Sequence, residues 1–344
     1  MQHNFPHNEL ARKKHRFSLA GLIVVGLIGL LFGVALSISV GAVRIPLNVV
    51  WDAMFQFDPQ TNHHQVIREL RLPRAIAGAL VGAGFAVAGA IMQGMTRNPL
   101  ADSGLLGLNA GAGLALALCF AFAPQWPYER VMLFCFLGAG LGALLVFGIG
   151  SMARGGLTPV RLTLAGAAVS ALLIALSEGI ALMFRIGQDL AFWYAGGIAG
   201  IQWRQVSVLW PWIAGGVAAA LLISRSITLL SLGEEMAAGL GERIRWVRAT
   251  GTIVVLVLAG AAVSAAGTVG FVGLIVPHVA RFLAGGDYRK IIPCSVVLGA
   301  LLVVYADIGA RMINPPFETP IGALISLIGV PFFLYLARKE KRGL

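Results

Sequence analysis

The chain has 344 residues, of which 58% are hydrophobic and only 12% are charged, and its formal net charge is +11. Soluble domains carry about 25% charged residues, so this composition excludes an ordinary water-soluble enzyme. A membrane β-barrel is excluded as well, because the apolar runs are about twice the length of a barrel strand and lack its in-and-out alternation.

The first apolar window, 17–40, is too long for a signal-peptide core and no A-x-A site follows it, so it is expected to remain as a span. Arg12, Lys13, Lys14 and Arg16 precede it and should hold residues 1–16 in the cytoplasm as a basic tail. Further windows follow at roughly 75–95, 104–123, 131–152, 160–184, 206–223, 249–266, 268–284, 292–312 and 319–337. Each approaches the ~20 residues that a spanning helix needs. The expectation is an all-α polytopic membrane protein of about ten helices. It forms a single transmembrane domain over 17–337, with a second basic tail at 338–344.

Charge supports the orientation. With the N-terminus inside, 18 of the 26 lysines and arginines fall on cytoplasmic segments, as the positive-inside rule requires. Both termini then lie in the cytoplasm. The basic excess marks a membrane face, and no nucleic-acid partner is expected. Cys119, Cys135 and Cys294 all sit in apolar windows, with neither a disulfide framework nor metal-ligand spacing.

A faint internal repeat is present. Gly89 precedes Pro99, and Gly267 precedes Pro277, by the same ten residues. In the span order these copies run in opposite directions, which predicts an inverted repeat of spans 2–5 and 7–10, an arrangement common in transporters.

Within the fifth window, Glu178 is the one acid well inside a span. An intramembrane carboxylate is a functional candidate by default, here for the substrate path. Between the sixth and seventh windows the chain turns charged, at "SLGEEMAAGLGERIRWVR" (231–248). Ser231 and Glu234 have capping-box spacing. Gly239 and Gly241 flank Leu240 and should end one short helix before another begins. The result is a cytoplasmic elbow (224–248) whose apolar Met236 and Leu240 need a soluble partner to cover them. Near the outer end of the ninth window, Asp307 and Arg311 have the spacing of a helical ion pair. The chain has no G-x-x-x-x-G-K-[ST], so energy from ATP would have to come from another subunit.

Six stretches occur in a fixed order: "RLPRAIAGALVGAGFAVAGAIMQGMTRNPLADSGLLGLNAGAG", "YAGGIAGIQWRQ", "LSLGEEMAAGLG", "GTVGFVGLIVPHVARFLAGGDYR", "ADIGAR" and "TPIGALISLIGVPFFLYL". Together they resemble the FecCD/BtuC family of ABC-transporter permeases, importers of iron-siderophores, haem and cobalamin. The resemblance implies a permease that is not itself an enzyme and binds no cofactor. It works with a second permease subunit, identical or homologous, two ATPase subunits that use ATP and Mg, and an extracytoplasmic substrate-binding protein. It places the chain in the bacterial cytoplasmic membrane. It assigns Glu234, Glu235, Ala238, Gly239, Leu240 and Gly241 to contact with the ATPase, and Arg71, Arg74 and Arg311 to docking of the binding protein. Asn98, Pro99, Pro277, His278, Pro320 and Gly322 fall in its structural motifs, and the fifth and tenth spans line its path. An iron-siderophore is the expected substrate, with haem or cobalamin as the alternative. An ion-coupled secondary transporter would have to use Glu178, and a membrane-embedded enzyme would need a catalytic cluster that the sequence lacks.

Overall fold

The computed structural model describes residues 18–41, 45–152, 159–315, 317 and 319–340. The N-terminal basic tail lies outside them, as do residues 341–344 of the second tail. Among the described residues fourteen α-helices follow one another: α1 (Leu19–Ser39), α2 (Leu47–Phe55), α3 (Asn62–Gln65), α4 (Leu72–Thr96), α5 (Leu108–Phe122), α6 (Tyr128–Met152), α7 (Pro159–Phe184), α8 (Gly187–Tyr194), α9 (Trp203–Ser231), α10 (Glu234–Gly239), α11 (Ile244–Ala266), α12 (Val272–Ala284), α13 (Tyr288–Ile313) and α14 (Ile321–Glu340). A π-helical turn, Val66–Arg71, joins α3 to α4, and a 3₁₀ turn, Ser103–Leu106, precedes α5.

Among the described residues seven helical segments are long and apolar enough to cross a membrane, and three shorter apolar helices accompany them at Leu108–Phe122, Val272–Ala284 and Ile321–Leu336. Each expected window falls on one of these. The boundary between the seventh and eighth is sharper than the sequence suggested. Gly267 ends α11 with φ of 68°, and the chain stays non-helical until Val272. At its other end, α14 continues to Glu340, into the expected tail.

The packing centre is α4, whose spanning window is 83% buried. Lipid tails are as apolar as leucine, so helices in a bilayer associate by close packing and hydrogen bonds, which small residues permit. A Cβ on Gly89 would lie 2.0 Å from the Gly273 carbonyl oxygen, and one on Gly82 would lie 2.1 Å from that of Gly299. These contacts bring α12 and α13 directly onto the α4 backbone. A buried polar link reinforces them. The Gln93 amide of α4 donates to the Gly273 carbonyl (3.2 Å), and Arg281 of α12 donates to Gln93 (3.3 Å) and to the Tyr288 hydroxyl (3.0 Å).

The repeat survives in element order but not in its expected register. In both halves a long helix (α4, α11) precedes a short one (α5, α12) across an interruption of the α-helix. Yet Gly89 lies in the interior of α4 whereas Gly267 caps the end of α11, and Pro99 lies in a turn whereas Pro277 lies within α12. The shared spacing therefore reflects the composition of tightly packed helices at these positions.

Candidate functional site

The charged stretch forms a compact elbow. With 29 residues, α9 is about 43 Å long at 1.5 Å per residue. That exceeds the ~30 Å hydrocarbon core, so α9 is longer than a single crossing needs. The expected capping box is corrected: Ser231 still belongs to α9, where its hydroxyl donates to the Thr228 carbonyl (2.7 Å), and Gly233 (φ 131°) precedes α10 without a side-chain cap. The elbow proper is accordingly 232–243, narrower than 224–248. Gly239 ends α10 in ordinary helical conformation, whereas Gly241 takes φ of 86° and makes the turn into α11. Glu242 fastens the turn by accepting from the Ser226 hydroxyl at 2.9 Å.

The elbow presents an uncovered apolar surface. Leu232, Met236 and Leu240 are 64%, 58% and 61% exposed, and Glu235, Ala238, Gly239 and Gly241 are also exposed. Glu234 differs from its neighbours. It turns toward the bundle, forming a short ion pair with Arg248 of α11 and a longer one, 3.7 Å, with Arg97 at the end of α4. One carboxylate thus ties the elbow to two spanning helices.

At the opposite end of the bundle, Arg71, Arg74 and Arg311 converge on one corner. Arg74 Nη2 lies 2.8 Å from Asp307 Oδ1, and Arg311 Nη2 lies 2.9 Å from Asp307 Oδ2. Arg311 also donates to the Ser37 hydroxyl (2.6 Å) and to the Ser37 and Val40 carbonyls (3.1 and 3.0 Å), and Arg71 donates to the Ile38 carbonyl (2.6 Å). These are carbonyls of the last turn of α1, where cations also complement the helix dipole. The helical ion pair at 307 and 311 is therefore present. Arg71 and Arg311 are each only 9% exposed, and all three arginines are engaged with interior acceptors.

Glu178 lies on the exposed face of α7, beside the small residues Ala167, Ala171, Ala175 and Gly179. Its neighbour Ser177 points the other way, donating to the Gly113 carbonyl at 3.3 Å and accepting from the Tyr194 hydroxyl. On α14, Leu327, Ile328, Leu334 and Tyr335 form a second broad exposed face.

The motif residues have structural surroundings. Arg97 closes α4 in a left-handed conformation (φ 53°), and Asn98 follows with its side chain accepting from the Leu100 N–H at 2.9 Å. Pro99 completes that turn. Pro277 lies within α12, beside His278, whose ring meets the Phe332 ring of α14 edge-on at 5.6 Å. Pro320 leads into α14, where Gly322 is tight against Ala195: a Cβ there would lie 2.5 Å from its carbonyl oxygen.

Sequence reasoning missed the Arg74–Asp307 and Glu234–Arg97 pairs. Their partners are far apart along the chain, so no local spacing announces them.

Comparison with known proteins gives a consistent picture. The FecCD transport family matches residues 29–339. An iron(3+)-hydroxamate import system permease protein, FhuB of Bacillus subtilis, is 54% identical over 94% of this chain and 84% of its own length. The ferric enterobactin transport system permease protein FepD of Escherichia coli is 39% identical over 91% of this chain and 94% of its own. A solved structure described as an inward-facing metal-chelate type ABC transporter superposes with a TM-score of 0.80 at 27% identity, covering 94% of this chain and all of the other.

Proposed function

Because the chain belongs to the FecCD transport family, we propose that it is the membrane-spanning permease subunit of a binding-protein-dependent ABC importer. Its cargo is a ferric siderophore, with iron(3+)-hydroxamate the first to test, given the 54% identity to a permease of that name. The setting is the bacterial cytoplasmic membrane with both termini inside, an orientation supported by the distribution of basic residues.

The observation that carries this reading is the elbow. An exposed apolar surface on a short, glycine-bounded helix, at the end of an overlong α9, suits a groove on a soluble partner. That partner is an ATPase subunit, which supplies ATP and Mg chemistry that this chain does not. Its movement reaches the bundle through α10, and through the hold of Glu234 on α4 and α11. Two permeases enclose the path, with the exposed faces of α7 and α14 turned toward the axis between them. A carboxylate facing lipid would be costly, so the position of Glu178 favours a covered, polar path at that face. On the outer side, Arg71, Arg74 and Arg311 serve binding-protein docking indirectly, by fixing the corner where α1, α4 and α13 end.

The test is uptake of iron-labelled hydroxamate, iron-labelled haem and cobalt-labelled cobalamin in a bacterial strain lacking its own permeases for all three. It should carry this chain with its partner ATPase and binding protein. Ferric hydroxamates should be taken up in preference to haem and cobalamin. Uptake of cobalamin or haem alone would move the chain to the family's other cargoes.

A further inference from the structure

A cavity of about 660 Å³ lies between α4, α6, α7 and α11, directly beneath the elbow. That is within the roughly 300–1,000 Å³ typical of small-molecule sites. Its wall is apolar, built from Met92, Met95, Leu106, Phe147 and Ile253, while its mouth carries Arg97, Glu234 and Arg248. Two guanidiniums share one carboxylate there, leaving the mouth with net positive charge.

From this juxtaposition we propose that the cavity binds one anionic phospholipid of the inner leaflet. An acyl chain occupies the apolar wall, and the phosphate sits between Arg97 and Arg248. The inference rests on the proposed orientation, which puts the elbow on the cytoplasmic side. Three features select this occupant. The mouth lies where α4 ends and α11 begins, at the cytoplasmic end of the bundle in that orientation, and Ile253 on its wall is 61% exposed to the surroundings of the bundle. Basic pockets between spanning helices on the cytoplasmic side favour anionic headgroups. Arginine suits a phosphate in particular, because its planar fork donates two parallel hydrogen bonds. A soluble anion would satisfy the arginines but leave the wall empty, and a neutral lipid would do the reverse. Bound phosphate competes with Glu234 for both guanidiniums. The lipid therefore loosens the tie between the elbow and the two helices, making the leaflet's anionic content a control on coupling.

The experiment uses the full-length permease in detergent, titrated with phosphatidylglycerol and separately with phosphatidylcholine, with bound lipid counted by native mass spectrometry. The wild type should retain one phosphatidylglycerol in preference to phosphatidylcholine. Each arginine near an anionic headgroup contributes about fivefold, so R97Q/R248Q should weaken phosphatidylglycerol binding about thirtyfold. Thr252→Trp, which fills the cavity but keeps both arginines, should also lose it. Lys290→Gln, an exposed charge outside the cavity, should not. Wild-type affinity in either R97Q/R248Q or Thr252→Trp overturns the proposal, as does phosphatidylcholine held by the wild type as tightly as phosphatidylglycerol. Orientation is read separately, by labelling Glu235→Cys with a membrane-impermeant maleimide in vesicles of known sidedness. Labelling from the outer side only would overturn the orientation and the importer reading with it. Labelling from the cytoplasmic side, with the lipid arms failing, overturns the lipid site alone.

Discussion

Arg74 of α4 and Asp307 of α13, 233 residues apart, form a fork: Nη2 and Nε approach the same carboxylate oxygen at 2.8 and 3.0 Å, and the aspartate is fully buried. Removing one partner of a buried ion pair leaves an uncompensated charge and costs about 3–5 kcal/mol. Asp307→Ala, which strands Arg74 and Arg311 together, should therefore lower the thermal unfolding temperature of the detergent-solubilised protein sharply. Arg311→Gln should be milder, because Arg74 still neutralises the aspartate. Binding-protein capture by Arg74→Gln, measured on the folded fraction alone, should stay close to wild type. A large loss of capture with unchanged unfolding temperature would instead assign Arg74 to direct contact.

The two elbow glycines should behave differently. Gly241 has φ of 86°, a conformation that costs a non-glycine residue about 1–3 kcal/mol. Gly239 is helical, and a Cβ there meets nothing within 4 Å. Gly241→Val should uncouple ATP hydrolysis from uptake in the assembled transporter, whereas Gly239→Ala should transport normally. Both are read from the ratio of phosphate released to substrate delivered.

Leu240 is 61% exposed and follows directly on α10, at the turn into α11. Burying a leucine side chain is worth about 1.5–3 kcal/mol. Leu240→Asp should accordingly weaken binding of the ATPase subunit at least tenfold in a pull-down titration, without changing the unfolding temperature of the isolated permease.

Asp287 gives a pH-dependent feature. Burial pushes its carboxyl up, but the Arg289 N–H, the Arg289 guanidinium and the Thr228 hydroxyl together hold it below the ordinary aspartate value. A carboxyl lowered by folding stabilises the folded state above its unfolded pKa, about 3.9. That contribution is lost as pH falls from there through the folded value. Amide exchange at Tyr288–Lys290, corrected for intrinsic rates, should therefore accelerate below about pH 4. Asp287→Asn should remove most of this acid dependence.

The spans were legible because hydropathy and length are local: each apolar window became a helix, and Asp307 with Arg311 was readable from a spacing of four. What escaped depends on chain partners far apart. Nothing near Glu234 reveals that it pairs with Arg97, and nothing near Arg74 reveals Asp307. The capping box at Ser231 failed because α9 continues through it, an extension of the helix that packing sets and short-range spacing does not. The repeat register failed because Gly and Ala recur wherever helices touch. Tertiary contact decided which glycines cap a helix and which admit a neighbouring backbone.

The most direct measurement of the central claim is uptake of a ferric hydroxamate into proteoliposomes containing the permease, its ATPase and loaded binding protein, with ATP and the proton gradient varied independently. Uptake should follow internal ATP, persist when the gradient is collapsed, and continue in Glu178→Gln with at most a changed affinity for substrate. Uptake that proceeds without the ATPase subunit, follows the proton gradient and vanishes in Glu178→Gln would contradict the importer reading and identify an ion-coupled carrier.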